Sequence, residues 1–299
     1  MGHHHNHGHN HETGNIKVAF FLNLSFTVIE FIGGFYTNSL AIMSDAVHDL
    51  GDSLSLGLSW YFQKLSNKKP NHNFSYGFAR FSLLGAIINS VVLIVGSVFI
   101  ISEAIPRIIS PEHSDAVGMM WFAILGIIVN GAAVLKLKKG TSINERVVTL
   151  HLLEDVLGWI AVLIASVVMQ FWDLPILDPI LSLLIAAYVL FNVFKNIKES
   201  FTIILQGVPK KMSTKEIEAA LVAFDEIVAI HDCHVWTLDG EFHVASLHVV
   251  LKETSDYPFE KSKEIKKKIR KLLHDNFKLE HVTLELESAK EDCDYKECN

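Results

Sequence analysis

The chain has 299 residues, half of them apolar, a net charge of −7 and a positive mean hydropathy. A soluble globular protein of this length has little reason to be so apolar. The charge by itself excludes little, but it offers no basic face for nucleic acid.

The apolar residues crowd into residues 16–205, and residues 206–299 carry most of the charge, so a membrane domain precedes a polar one. The opening tail, residues 1–14, holds His3, His4, His5, His7, His9 and His11 and lacks the basic start of a secretory signal. Its composition suits loose metal binding or delivery better than one fixed site. An expression tag is the alternative for His3–His5, although Asn6, Gly8 and Asn10 interrupt the run as in a native tract. Cys233, Cys293 and Cys298 all fall in the polar part, which indicates a reducing compartment rather than a disulfide framework.

About 20 apolar residues are needed to cross a bilayer as a helix. Six segments qualify: residues 16–36, 40–62, 79–105, 116–136, 147–171 and 176–197. Gly33, Gly34, Thr37 and Asn38 separate the first two, Pro106 and Pro111 end the third, and Pro175 and Pro179 bracket the last turn. Lysine and arginine set the orientation. Lys64, Lys68, Lys69 and Arg80 follow the second segment, Lys136, Lys138, Lys139 and Arg146 the fourth, and Lys195, Lys198, Lys210 and Lys211 the sixth. The opposite side offers only Arg107, so both termini are expected in the cytoplasm, and the membrane is the inner one if the source is bacterial.

The polar part reads as αββαβ. Ser213 and Glu216 form a capping box before Ile217, Leu221 and Phe224. Strands are expected over residues 227–238 and 241–252 with Asp239-Gly240 as the hairpin turn, a basic amphipathic helix over 258–277, and a last strand over 281–287. That order suits a small ferredoxin-like open sandwich with its helices on one face. The predicted fold class is therefore an α-helical membrane protein of six crossings followed by a cytoplasmic α+β domain. Its parts are residues 1–14 (tail), 15–206 (transport domain), 207–288 (αββαβ domain) and 289–299 (acidic tail with Cys293 and Cys298).

Ionisable residues inside crossing helices are costly and usually functional. The second segment contains Asp45-Ala-Val-His48-Asp49-Leu-Gly-Asp52, and the fifth contains His151-Leu-Leu-Glu154-Asp155. In each, a histidine and an aspartate stand four apart and share a helix face. Two imidazoles and two carboxylates facing one another make a tetrahedral Zn2+ environment, whereas Mg2+ and Ca2+ favour all-oxygen shells. Spacing alone also permits an Asp45/Asp49 pair. Glu30, Asn89 and Asn130 are further polar groups in crossing segments, with helix–helix adhesion favoured for the two asparagines.

The six segments, the basic stretch after the second, the αββαβ domain and the run from Asn38-Ser-Leu-Ala41 to Asp45, His48 and Asp52 together resemble the cation diffusion facilitator family of the zinc-transporting type. His151 and Asp155 match the family's fifth helix. The resemblance implies a homodimer that exports Zn2+ or a related ion in exchange for protons, and no enzyme activity. It places His48, Asp52, His151 and Asp155 on the transport site. It leaves Asp45 as a partner that would orient a ligating histidine. In the polar domain it places His231, His248 and Glu285 on zinc-ligand positions with Glu287 as a bridging acid. Zn2+ is thus both cargo and a structural ion. Ordinary sheet-surface side chains are the competing reading for that cluster, as an acidic tail is for Cys293 and Cys298. Between the second and third segments His72 survives of a further family site, but Lys69 and Tyr76 occupy the other places, so no stable metal is expected there.

Three other readings stand beside Zn2+/H+ exchange. The same ligands accept Cd2+, Co2+, Fe2+ or Mn2+. A membrane zinc sensor would bind without flux. An intramembrane metalloenzyme would need a motif such as His-Glu-x-x-His, and His11-Glu12 followed by Asn15 fails it.

Overall fold

A computed structural model describes residues 9–66, 68, 70–137, 143–252 and 259–288. The chain divides into two units. One is built from residues up to Leu65 and Leu84–Ile197, the other from Ser66–Leu83 and Lys198 onward. His3–His7, Lys69, Lys138, Lys139, Cys293 and Cys298 lie outside the described residues.

The first unit consists of long helices: α1 (His9–Thr37), α2 (Leu40–Ser66), α3 (Phe81–Ile109), α4 (Ala116–Leu137), α5 (Ile143–Phe171) and α6 (Leu177–Ile204). Among the described residues, five of these are long and apolar enough to cross a membrane; α2 is the exception. Its apolar run is broken by Asp45, His48, Asp49 and Asp52. Packing explains how such a helix is tolerated. On one side Ala41 and Ile42 join Met119, Ala123, Trp159 and Val162 of α4 and α5 in an apolar cluster. On the other, Val47 joins Leu93 and Ile100 of α3 and Ala186, Val189 and Val193 of α6. The polar helix is thus enclosed by the others, where its side chains find partners that lipid would not supply. Close approach is bought with small residues: Gly96 lies against Val47, and Gly126 against the ring of Trp159.

The start of α2 is fixed by a carboxylate from another helix. Asp178, in the first turn of α6, accepts from Ser39 Oγ (2.6 Å) and from the backbone N–H groups of Leu40 (2.8 Å) and Ala41 (3.2 Å). These are orphan donors that any helix start must satisfy. Ser114 Oγ reaches the same carboxylate at 3.3 Å. The preceding residue, Asn38, holds a left-handed φ of 52° that asparagine tolerates, and its carbonyl accepts from Arg107 Nη1 (2.9 Å) and Ser114 Oγ (3.0 Å). Arg107, the lone basic residue on that side, is therefore held by the turn between α1 and α2.

Two proline expectations need correcting. Pro106 does not end α3, which continues to Ile109. In the last turn a proline forfeits one backbone bond, and Ser110 N–H closes the helix on the Pro106 carbonyl at 2.8 Å. Pro179 lies inside the first turn of α6, where its missing N–H has no partner to lose.

The second unit contains α7 (Thr214–Val222), β1 (Ile227–Thr237), β2 (His243–Leu251), α8 (Phe259–Phe277) and β3 (Leu279–Ser288), the predicted αββαβ order. β2 is central, antiparallel to β1 and parallel to β3. Ala245, Leu247 and Val249 of β2 share a core with Ile217 and Leu221 of α7 and Ile265, Ile269 and Leu273 of α8. By strand alternation, Ser246 and His248 then face away from the helices. Ser213 occupies the N-cap, but its side chain makes no cap bond, so the capping box is not formed. The hairpin turn is wider than Asp239-Gly240: Leu238 N–H bonds the Phe242 carbonyl, and Asp239 Oδ1 accepts from Glu241 and Phe242 N–H. The stretch after α2 belongs to this unit, with the ring of Tyr76 edge-on to His281 at 5.7 Å.

Replacing Asp178 by Ala strands one buried hydroxyl and two N–H groups. At about 1–3 kcal/mol for each buried group left unpaired, Asp178→Ala should lower the midpoint of thermal unfolding in detergent by several degrees. Asp178→Asn, which keeps one acceptor, should lose less.

Candidate metal centres

The geometry of α2 and α5 brings the two predicted pairs together. His151 Nε2 lies 2.8 Å from Asp52 Oδ2, and His48 Nε2 lies 3.8 Å from both Asp52 Oδ2 and Asp155 Oδ1. Donor atoms of His48, His151 and Asp155 all fall within 4.8 Å of one another. Bonds of roughly 2.0 Å in a tetrahedron put neighbouring ligand atoms roughly 3.3 Å apart. The observed separations straddle that value, so small rotations of the side chains would close them on one ion. His151 and Asp52 are 39% and 29% exposed and His48 and Asp155 21% and 10%, so the cluster is reachable while lying on helices of a membrane unit.

The neighbouring acids lie beside this cluster. Asp49 sits toward α1, where Asn23 Nδ2 donates to its carbonyl (3.1 Å) and to Ser53 Oγ (3.0 Å), and where the Glu30 carboxyl lies opposite its own. Glu30 is fully buried. Asp45 is buried beside Gly158 of α5. His48 Nδ1 is buried without a hydrogen-bond partner, so Asp45 does not reach that nitrogen. Three residues ahead of His48 on α2, Asp45 is carried instead toward Gly158, Asp49 and Asp155. Asn89 Oδ1 and Asn130 Nδ2 are likewise buried without partners, which gives no support to their reading as helix–helix adhesion.

The second cluster lies on the sheet face away from α7 and α8. His231, His248 and Glu285 are direct cross-strand neighbours on β1, β2 and β3. A bulge follows His231, centred on Asp232 with φ 48°, and lets His234 return to the same face. Glu287, one row on, reaches back between the histidines: Oε2 meets His231 Nε2 at 2.9 Å and Oε1 meets His248 Nδ1 at 2.5 Å. Donor atoms of His231, His248 and Glu287 lie within 4.8 Å of one another. Glu285 stands 3.4 Å from His248 Nε2 and is 66% exposed, while Glu287 is 6% exposed. Glu287, the bridging acid of the resemblance, is thus enclosed between the two histidines, and Glu285 stands beside His248 at the rim. Asp232 Oδ2, 3.6 Å from His248 Nε2, is an acid near the cluster to which no role was assigned from sequence. The imidazole and carboxylate donors suit a borderline ion such as Zn2+. His72, in the stretch after α2, is exposed.

A family model described as the cation efflux transmembrane domain matches residues 16–205, and one described as the cytoplasmic domain of cation efflux proteins matches residues 209–289. The chain belongs to the cation diffusion facilitator family. Family membership makes it a multi-pass cation-efflux transporter rather than an enzyme. It is 33% identical over 293 residues to the cadmium, cobalt and zinc/H(+)-K(+) antiporter of Bacillus velezensis, covering 97% of this chain and 93% of that one. It is 30% identical to the zinc transporter ZitB of Pectobacterium atrosepticum over 99% of this chain and 92% of the relative. The metal cation efflux system protein CzcD of Cupriavidus metallidurans is 30% identical over 95% and 90%.

The sheet-face cluster makes a prediction separable from transport. His248→Ala should remove one Zn2+ per protomer in equilibrium dialysis of the full chain, while Glu285→Gln should weaken that ion by about tenfold or less.

Proposed function

We propose that this chain exports Zn2+ in exchange for protons, by alternating access through His48, Asp52, His151 and Asp155. The convergence of these four side chains from α2 and α5 carries the reading. Two carboxylates offset the charge of a divalent ion at membrane depth, and two imidazoles favour Zn2+ over hard cations. Ligation needs neutral imidazole and ionised carboxylate, so protons and metal compete for the same atoms. In this scheme α2 is the sixth crossing, enclosed by the five apolar helices, and both termini are cytoplasmic.

The transport domain of residues 15–206 then acts with the αββαβ domain of residues 207–288 in a homodimer. In that domain His231, His248 and Glu287, with Glu285 at the rim, would hold a resident Zn2+ that fixes the open face of the sheet. Matches to the family's transmembrane and cytoplasmic models support this division.

A broader cargo is favoured by the Bacillus velezensis relative, whose name covers cadmium and cobalt as well as zinc and potassium as well as protons. Flux into proteoliposomes decides among these. Zn2+ uptake should rise with an opposing proton gradient and stay unchanged by a potassium gradient, and Cd2+ and Co2+ should compete with it. Asp52→Ala should reduce uptake by at least about a hundredfold. Uptake indifferent to the proton gradient would remove the exchange, and full uptake by Asp52→Ala would remove the site.

A further inference from the structure

The segment Thr149–Phe171 of α5 is apolar enough to cross a membrane, yet it holds two adjacent acids, Glu154 and Asp155. Their surroundings differ. Asp155 is 10% exposed and turned into the four-residue cluster, whereas Glu154 is exposed. At 3.6 residues per turn, Glu154 lies roughly 60° around the helix from His151. On its other side begins the exposed apolar stripe of Leu150, Leu153 and Leu157. Glu154 therefore marks the edge where the metal-site face meets the apolar face.

Its carboxylate is also held in place. Tyr188 Oη, on α6, donates to Glu154 Oε2 at 3.0 Å, and Asn192, one turn further along α6, hydrogen-bonds the same hydroxyl. No basic side chain pairs with Glu154 among the described residues. A carboxylate at membrane depth without a cation must face water, since hydrocarbon offers it nothing. Its nearest ligand neighbour, His151, is the most exposed of the four at 39%.

We propose that Glu154, positioned by Tyr188, is a further cation-binding group of the transport path, an outer carboxylate that takes a hydrated divalent ion on the α5–α6 side and passes it to His151. This rests on the transport reading above. Offering oxygen alone, Glu154 attracts divalent ions with little discrimination, and selection stays with the imidazoles behind it. Its contribution is electrostatic and raises the local concentration of the ion. By hastening both entry and exit of the ion it acts on KM where turnover outpaces release, and leaves kcat and the equilibrium affinity of the inner cluster unchanged.

The test is Zn2+ flux by the full chain in proteoliposomes, with Zn2+ binding measured on the same preparations. Glu154→Gln keeps the shape and an acceptor for Tyr188, and should raise KM by about tenfold at unchanged kcat. The difference from wild type should shrink as ionic strength rises toward 1 M, where the screening length falls to about 3 Å. Tyr188→Phe, which frees the carboxylate without removing it, should raise KM by a smaller factor, about two- to threefold. Equilibrium Zn2+ affinity of both variants should stay within about twofold of wild type.

A fall in kcat or in equilibrium affinity would make Glu154 a support of the inner cluster and overturn the proposal, as would kinetics identical to wild type or a KM shift insensitive to salt. A change in oligomeric state would assign the residue to a subunit contact and overturn it too. Failure of the underlying reading is separately visible, because it appears as full transport by Asp52→Ala whatever Glu154 does.

Discussion

The capping of α2 by Asp178 is the contact on which the rest of the membrane unit depends. A carboxylate on α6 supplies what the first turn of α2 lacks, and Ser114 shares it, so three parts of the chain far apart in sequence meet at one buried acid. From Leu40, a rise of 1.5 Å per residue places His48 about 12 Å and Asp52 about 18 Å along the axis. That is near half of a hydrocarbon layer of about 30 Å. Fixing where α2 starts thus fixes the depth and the facing of His48 and Asp52. A one-residue slip at the cap would rotate His48 by about 100° and break its alignment with α5.

The same helix resolves an apparent conflict between composition and location. Asp45, His48, Asp49 and Asp52 make α2 the least membrane-like of the six long helices, yet it is held between two apolar clusters contributed by the others. Enclosure turns its polarity into adhesion. Asn23 and Thr27 of α1 bond Ser53 and the Asp49 carbonyl, so the side of α2 that meets α1 is tied by neutral hydrogen bonds. Glu30 is the exception, a fully buried carboxyl set against that of Asp49.

Much of this was legible in the sequence, because its signals are local. A spacing of four on a helix brought His48 near Asp52 and His151 near Asp155, and the membrane length of both helices gave that spacing meaning. The αββαβ order followed from period-two runs and a basic amphipathic stretch. What was not legible depends on contacts between distant segments. Asp178 stands one residue before Pro179, and nothing local reveals that it caps a different helix. Glu285 and Glu287 have the same parity on β3, so strand periodicity cannot tell which reaches between His231 and His248. Ser213 and Glu216 carry the spacing of a capping box that the fold leaves unmade, since the box signal is statistical and its backbone donor at Glu216 already bonds the Ser213 carbonyl.

The two histidine clusters follow one rule. In each, an imidazole nitrogen and a carboxylate oxygen lie within hydrogen-bonding distance, His151 with Asp52 at 2.8 Å and His231 with Glu287 at 2.9 Å. A single proton satisfies each such pair, and an ion entering between the same atoms must displace it, so metal and proton are alternative occupants of one geometry. What differs is enclosure. The four residues on α2 and α5 are 10–39% exposed, with His151 and Asp52 at the open end, whereas His231, His248 and Glu287 are 6–16% exposed. Departure of an ion requires water to replace its ligands, and the more enclosed cluster admits less of it. The same kinds of side chain thus meet water to different degrees in the two clusters.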